Sequence, residues 1–288
     1  TRCLSDWSSD VCSSDLALLI VTALFSDTYS IGRVALATPD QIEPIAITGL
    51  RHAGEGELEG IHWLADDRYS LTYNIDGASW LYEARYDEAK RELQVTSVMV
   101  GEGVTAGGVL AGEDYDAVQD RHAFGFSTAT SPAQLYTWQH GALRQHTDER
   151  VLGIATELLA EGEDASFVSW DGLRISARLY LPSPDLGFKG PRPLVYYVHG
   201  GPQSQARPDF AWFSMPLIQF LTLNGFAVFV PNARGSVGYG LSYTKWVDHD
   251  WGGRDRLDHV HAMTVVLPQD NRVDTSRAGV VGRSYGGY

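Results

Sequence analysis

Over residues 68–95, "RYSLTYNIDGASWLYEARYDEAKRELQV", apolar side chains fall on every second position: Tyr69, Leu71 and Tyr73 share one side. This period of two predicts a strand, and Asp76-Gly77 has the chemistry to reverse the chain into the next one. The scheme returns in "HAFGFSTATSPAQLYTWQHGALRQHT", with Ser131-Pro132 as the breaker and His140-Gly141 as the turn. The two stretches align through Trp80-Leu81-Tyr82 and Gln134-Leu135-Tyr136, an offset of 54 residues. That is slightly more than the roughly 40–50 residues of common propeller blades. "TYSIGRVAL" reads as the matching strand of an earlier blade. From Leu16 to about Ala165 the expectation is a partial β-propeller of antiparallel four-stranded blades. A β-sandwich has the same alternation, so alternation alone leaves both open.

The pattern changes in "EGEDASFVSWDGLRISARLYLPSPDLGFKGPRP". A hairpin around Asp171-Gly172 gives way to Pro182, Pro184, Pro191 and Pro193, a stiff connection of the kind that separates domains. The boundary is placed near residue 166. Beyond it, "LVYYV" and "FAVFV" are continuous apolar runs of strand length, as expected for strands buried on both faces. "FSMPLIQFLTLNG" predicts a helix ending at Gly225, and "RLDHVHAMTVVL" places Leu257, Val260, His261, Thr264 and Leu267 on one helical face. "AGVVG" reads as a third buried strand. Strand and helix in alternation predict an α/β domain with a mostly parallel sheet.

Composition supports two domains. The 288 residues are 44% hydrophobic, enough for real cores. Lysine and arginine total 22 against 36 aspartates and glutamates, a net charge of −14 that repels phosphate backbones, so no nucleic-acid partner is expected. Both cysteines, Cys3 and Cys12, lie in the opening "TRCLSDWSSDVCSSDL", so disulfides and cysteine metal sites are not expected. In that opening Ser8-Ser9-Asp10 recurs as Ser13-Ser14-Asp15. It resembles a translated sequencing adaptor, and residues 1–15 are set aside from fold reasoning. The apolar run Leu16–Phe25 is about half of the roughly 20 residues that span a bilayer and is read as a buried strand, so no membrane partner is expected. The organisation expected is thus 1–15 artefact, 16–165 partial propeller and 166–288 α/β domain.

The chemistry gathers in the second half. Gly282-Arg283-Ser284-Tyr285-Gly286 matches G-x-S-x-G after a predicted strand, the nucleophile elbow. The serine occupies a sharp strand-to-helix turn, and side chains at Gly282 or Gly286 would meet neighbouring backbone. His199-Gly200-Gly201-Pro202 follows "LVYYV" directly, where a glycine pair lets amides point at a developing oxyanion. His199 precedes the serine, whereas an α/β-hydrolase triad runs Ser, Asp or Glu, then His, so His199 is not read as the base. "PNARGSVGYG" is glycine-rich but lacks the Lys-Ser/Thr of a phosphate loop and is read as a loop lining a pocket. "DHDWGGRDRLDH" carries no zinc spacing and reads as a helix start with acidic residues near Gly252-Gly253. No metal and no cofactor are expected.

Taken in order, "SWDGLRISARLYLP", "HGGP", "PNARGSVGYG", "DWGG" with Asp258, and "DTSRAGVVGRSYGGY" resemble the prolyl oligopeptidase family of serine peptidases, closest in style to its acylaminoacyl-peptidase and oligopeptide-hydrolysing branch. The resemblance implies a β-propeller covering an α/β-hydrolase domain and admitting short peptides. It implies Ser284 as nucleophile and the backbone amides of Gly201 and Tyr285 as oxyanion donors. His199, Gly200, Arg234 and Tyr239 fall in loops near the pocket. The family's acid and histidine follow the serine, and no residue follows Tyr288. The expectation is therefore peptide hydrolysis through an acyl-enzyme for the family, with this polypeptide a truncated, inactive fragment. A homo-oligomer of the full-length protein stays open. A carboxylesterase on the same fold and a non-catalytic propeller interaction module are the alternatives.

Overall fold

A computed structural model describes residues 9–12, 17–54, 56–151, 153–210 and 213–288. Apart from Ser9–Cys12, the opening polar stretch lies outside the described residues. Contacts divide the chain into two units, the first running to Phe126 and including Leu135–Thr147 and Gly238–Leu241, the second comprising Ser127–Gln134, Asp148–Val237 and Ser242–Tyr288.

The first unit is built of four-stranded meanders. β1 (Ser9–Cys12), β2 (Ala17–Thr22), β3 (Ser30–Ala35) and β4 (Ile42–Thr48) pair in sequence, antiparallel throughout. β5 (Gly56–Ala65), β6 (Arg68–Ile75), β7 (Ala78–Asp87) and β8 (Glu92–Val100) do the same. β9 (Val109–Asp116), β10 (Arg121–Ser127), β11 (Gln134–Gln139) and β12 (Ala142–Gln145) form the third sheet. β4 and β8 also meet in parallel, linking the last strands of the first two sheets. The apolar run at residues 16–25 is strand β2, with Leu19 fully buried. No helix among the described residues is long and apolar enough to cross a membrane.

Packing decides between propeller and sandwich. Leu19, Ile31 and Ile45 of the first sheet join Leu58, Ile61, Tyr69 and Leu71 of the second in one core cluster. Leu81, Met99 and Val100 of the second join Phe124, Phe126 and Tyr136 of the third in another. The middle sheet is thus covered on both faces, as in a propeller whose blades stack successively, whereas a sandwich has one inner face per sheet. The unit is a partial β-propeller. Trp80-Leu81-Tyr82 and Gln134-Leu135-Tyr136 both stand on the third strand of their blades, and "TYSIGRVAL" contains the third strand of the first. Asp76-Gly77 and His140-Gly141 both turn with positive φ, 50° and 86°, then 49° and 82°. This double left-handed turn matches the twist of paired strands.

The second unit is an α/β-hydrolase sheet. β13 (Glu163–Asp164) and β14 (Phe167–Val168) pair with β15 (Arg174–Tyr180), which runs antiparallel to β17 (Ala227–Asn232). β16 (Arg192–Val198) lies between β17 and β18 (Val273–Gly282), parallel to both. All six residues of β17 are buried, as its continuous apolar run requires. α1 (Ser214–Leu223) turns out through Gly225 at φ 86° and packs Met215 and Ile218 against Val228, Val230, Tyr180 and Tyr197. α2 (Leu241–Lys245) and α3 (Arg254–His261) follow.

Two expectations are corrected. The face expected from residue 257 to 267 does not form, because α3 ends at His261 and a wider π turn over Ala262–Val266 shifts the phase. Val260 is 48% exposed, and the helix buries Asp255 and Asp258 instead. β18 is a strand but not a buried one: it is the edge of the sheet among the described residues, and Val280 is 74% exposed. Its face borders a cavity of about 750 Å³ lined by Val198, His259, Met263 and Tyr285 among others.

Candidate active site

Parallel pairing brings the two motifs together. β16 and β18 run side by side with Val198 opposite Gly282, so the segments that follow them leave the same edge of the sheet. "HGGP" continues β16 and "RSYGG" continues β18. Ser284 opens a short 3-10 turn at φ 56°, a left-handed conformation costly for a residue with a side chain, and it is exposed. Among the described residues its hydroxyl makes no hydrogen bond.

The glycines are dictated by backbone contact. A Cβ on Gly282 would stand 1.9 Å from the Gly286 carbonyl oxygen, and one on Gly286 would stand 2.2 Å from that of Val198. A Cβ on Gly200 would lie 2.7 Å from the Arg283 carbonyl oxygen and 3.1 Å from Ser284 Cβ. The histidine-glycine loop therefore sits directly on the serine turn. Arg283 extends away, its guanidinium 4.5 Å from the centre of the Phe213 ring.

His199 is half-buried and desolvation lowers its pKa, so the ring is neutral. Nδ1–H donates to the Gly200 carbonyl oxygen at 2.8 Å, and Nε2 lies 3.0 Å from the Ser236 hydroxyl. Fixing the Gly200 carbonyl also orients the Gly201 N–H, which points the opposite way in the same planar peptide. The other amide expected to donate belongs to Tyr285. The Tyr285 hydroxyl accepts from the Gly252 N–H at 2.7 Å and donates to the Asp255 carboxylate. Burial, reinforced by Asp255, pushes this phenol up to about 12.

Arg234 borders a small recess with His199, Ser236 and Tyr285. Its guanidinium is wholly buried, paired with both Asp171 oxygens at 2.7 and 2.8 Å and with Asp258 at 2.7 and 2.8 Å. Trp170 and Trp246 each lie 5.4 Å from it, and Ser169 donates to Asp258 at 2.6 Å. This network ties the β14–β15 hairpin to α3. Asp171, Asp255 and Asp258 were not singled out from sequence as partners, since Asp171 precedes Arg234 by 63 residues with no local signal. Tyr239 falls in Gly238–Leu241, which belongs by its contacts to the first unit. Among the described residues no three His, Cys, Asp or Glu side chains are grouped to hold a metal ion.

With this geometry the chain can be compared with known proteins. Residues 211–288 match the model of the prolyl oligopeptidase family. An uncharacterized peptidase of Bacillus subtilis, YuxL, is 30% identical over 158 residues, 54% of this chain and 23% of its own. A probable dipeptidyl-peptidase 5 of Aspergillus terreus is 34% identical over 128 residues, 44% of this chain and 17% of its own. An acylaminoacyl peptidase solved in complex with Z-Gly-Gly-Phe-chloromethyl ketone superposes with a TM-score of 0.66 at 24% identity, over 100% of this chain and 42% of that one. The chain thus spans less than a quarter of the curated relatives and about two fifths of the solved structure. That structure shares the fold of propeller and α/β hydrolase. By sequence over residues 211–288 and by fold over its length, the chain is similar to the prolyl oligopeptidase family of serine peptidases.

Proposed function

We propose that the second unit carries the nucleophile half of a serine peptidase that hydrolyses short peptides through an acyl-enzyme. The observation that carries this reading is the seating of the Gly200 backbone against Ser284 at the ends of two adjacent parallel strands. Ser284 Oγ attacks the scissile carbonyl carbon and gives its proton to a base. The carbonyl oxygen, now negative, is held by the Gly201 and Tyr285 amides. Collapse breaks the C–N bond, the amine leaves with the proton, and water then releases the acyl group from the serine. Peptide substrates are favoured by the match to a peptidase family and by the peptide chloromethyl ketone bound to the acylaminoacyl peptidase.

The 288 residues by themselves are read as inactive. A serine hydroxyl is a weak nucleophile without a base. His199 is engaged by Gly200 and Ser236, and His259 Nδ1 by the Tyr196 hydroxyl at 3.1 Å. A fluorophosphonate probe tests this: stoichiometric labelling of Ser284 in the 288-residue chain would overturn the inactivity. In a chain that also supplies a histidine base, cleavage of an N-acylated peptide p-nitroanilide, lost in Ser284→Ala, is the expected activity. Hydrolysis of p-nitrophenyl esters without any amide cleavage would make it a carboxylesterase instead.

A further inference from the structure

Asp255 has no assigned role, and its surroundings are unusual for a carboxylate. It is 5% exposed, and one of its oxygens, Oδ1, is buried without a hydrogen-bond partner. A buried carboxylate oxygen left unpaired works against folding, so stability alone does not account for the residue. Helix capping does not account for it either. Asp250 already accepts the Arg254 N–H at 3.1 Å at the start of α3. Among the described residues, the side-chain hydrogen bond of Asp255 is with the hydroxyl of Tyr285, the residue that follows Ser284.

That contact closes a short circuit around the elbow. The Tyr285 hydroxyl is held from one side by the Gly252 N–H and from the other by Asp255, and Trp251 meets the ring edge-on at 5.2 Å. On the opposite side Gly286 is pressed against the Val198 and His199 carbonyl oxygens. The turn bearing Ser284 is strained and needs its neighbours to hold it.

We propose that Asp255 is a positioning residue that holds the nucleophile turn through the Tyr285 hydroxyl, fixing the direction of the Tyr285 amide. This rests on reading Ser284 as the nucleophile. Asp255 itself touches no reacting atom. It acts through the phenol, so removing either end of the bond releases the same segment.

The test uses the 288-residue chain with Asp255→Ala, Tyr285→Phe and the double variant, and Asp250→Ala as a control on the same helix start. Amide exchange over residues 282–288 is expected to quicken about tenfold in each single variant, the loss expected for one strong hydrogen bond, and no further in the double variant. Fluorine resonance of 3-fluorotyrosine at position 285 is expected to move on Asp255→Ala and to stay in place on Asp250→Ala. Unchanged exchange over 282–288 in Tyr285→Phe, which keeps the ring, would overturn the proposal even if Asp255→Ala failed to fold. So would additive effects in the double variant. Fluorophosphonate labelling of Ser284 in a chain that supplies the base is read separately. Absence of labelling there, with exchange behaving as expected, would remove the nucleophile reading and leave the Asp255–Tyr285 coupling standing.

Discussion

Gly200 packs against the turn that carries Ser284: a methyl on Gly200 would lie 2.7 Å from the Arg283 carbonyl oxygen and 3.1 Å from Ser284 Cβ. Gly200→Ala must therefore push the loop and the turn apart. Overpacking of this kind costs about 1–3 kcal/mol, read as a lower urea midpoint. In a chain with its base present, the proposed function expects displacement of the Gly201 amide to lower kcat about 10²–10³-fold, with KM changing little.

Two other glycines of the same strand-turn segment are expected to behave oppositely. A methyl at Gly286 would meet the Val198 carbonyl oxygen at 2.2 Å, and backbone cannot swing aside. Gly286→Ala is expected to destabilise more than Gly200→Ala. At Gly279 nothing lies within 4 Å, so Gly279→Ala is expected to stay within about 0.5 kcal/mol of the parent. Denaturation midpoints of the three variants, measured together, check the order.

Arg234 holds two carboxylates, one of them, Asp258, wholly buried. Arg234→Ala leaves Asp258 without its cation and is expected to cost about 3–5 kcal/mol. Arg234→Lys should recover only part of this, because an ammonium cannot pair with both carboxylates in forks. The hydrogen bonds from Arg234 hold Asp171 below its ordinary value of 3.8. Its contribution is present above that value and is lost as pH falls through the lower folded value. The stability gap between parent and Asp171→Asn should accordingly narrow on acidification below 3.8.

His259 gives the acid side of the profile its own shape. Burial, the largest influence, pushes it down from 6.5 to about 4. The folded chain keeps the ring neutral while the unfolded chain takes up a proton, so stability is full above 6.5 and is lost between 6.5 and about 4. The loss is on the order of 3 kcal/mol. His199, also lowered by burial, adds with the same sign. His259→Gln should flatten this part of the curve, measured as urea midpoints across the pH range.

Local chemistry made much of the fold legible. The Asp76-Gly77 and His140-Gly141 turns needed only residues with access to positive φ, and the blade repeat followed from strand alternation at matched spacing. β17 was readable because burial on both faces leaves a solid apolar run. β18 has the same kind of run, yet its exposure depends on which strand lies beside it, a property of the sheet and not of the segment. The stripe expected beyond residue 257 failed because a π turn changes the period midway. At the site, Ser284 and the glycines were visible as a pattern, since backbone crowding leaves no room for a side chain at Gly200, Gly282 or Gly286. Asp255 was not, because its partner lies 30 residues away and an acidic residue in a first helical turn is ordinary.

The register of β16 on β18 has a consequence for how such a site varies. Val198 faces Gly282 across a parallel ladder, and the serine and the glycine pair each begin two residues past that rung. The gap between Ser284 and the Gly200-Gly201 pair is then a ruler cut in main-chain amides, with a step of about 3.3 Å per residue. Side chains along the unbroken rungs, Leu194–Val198 against Ala278–Gly282, are free to drift as long as the rungs stay matched, while a residue inserted or deleted within that stretch would misalign the chemistry; the bulge between Pro193 and Leu194 shows that the ladder takes up extra residues only farther from the site.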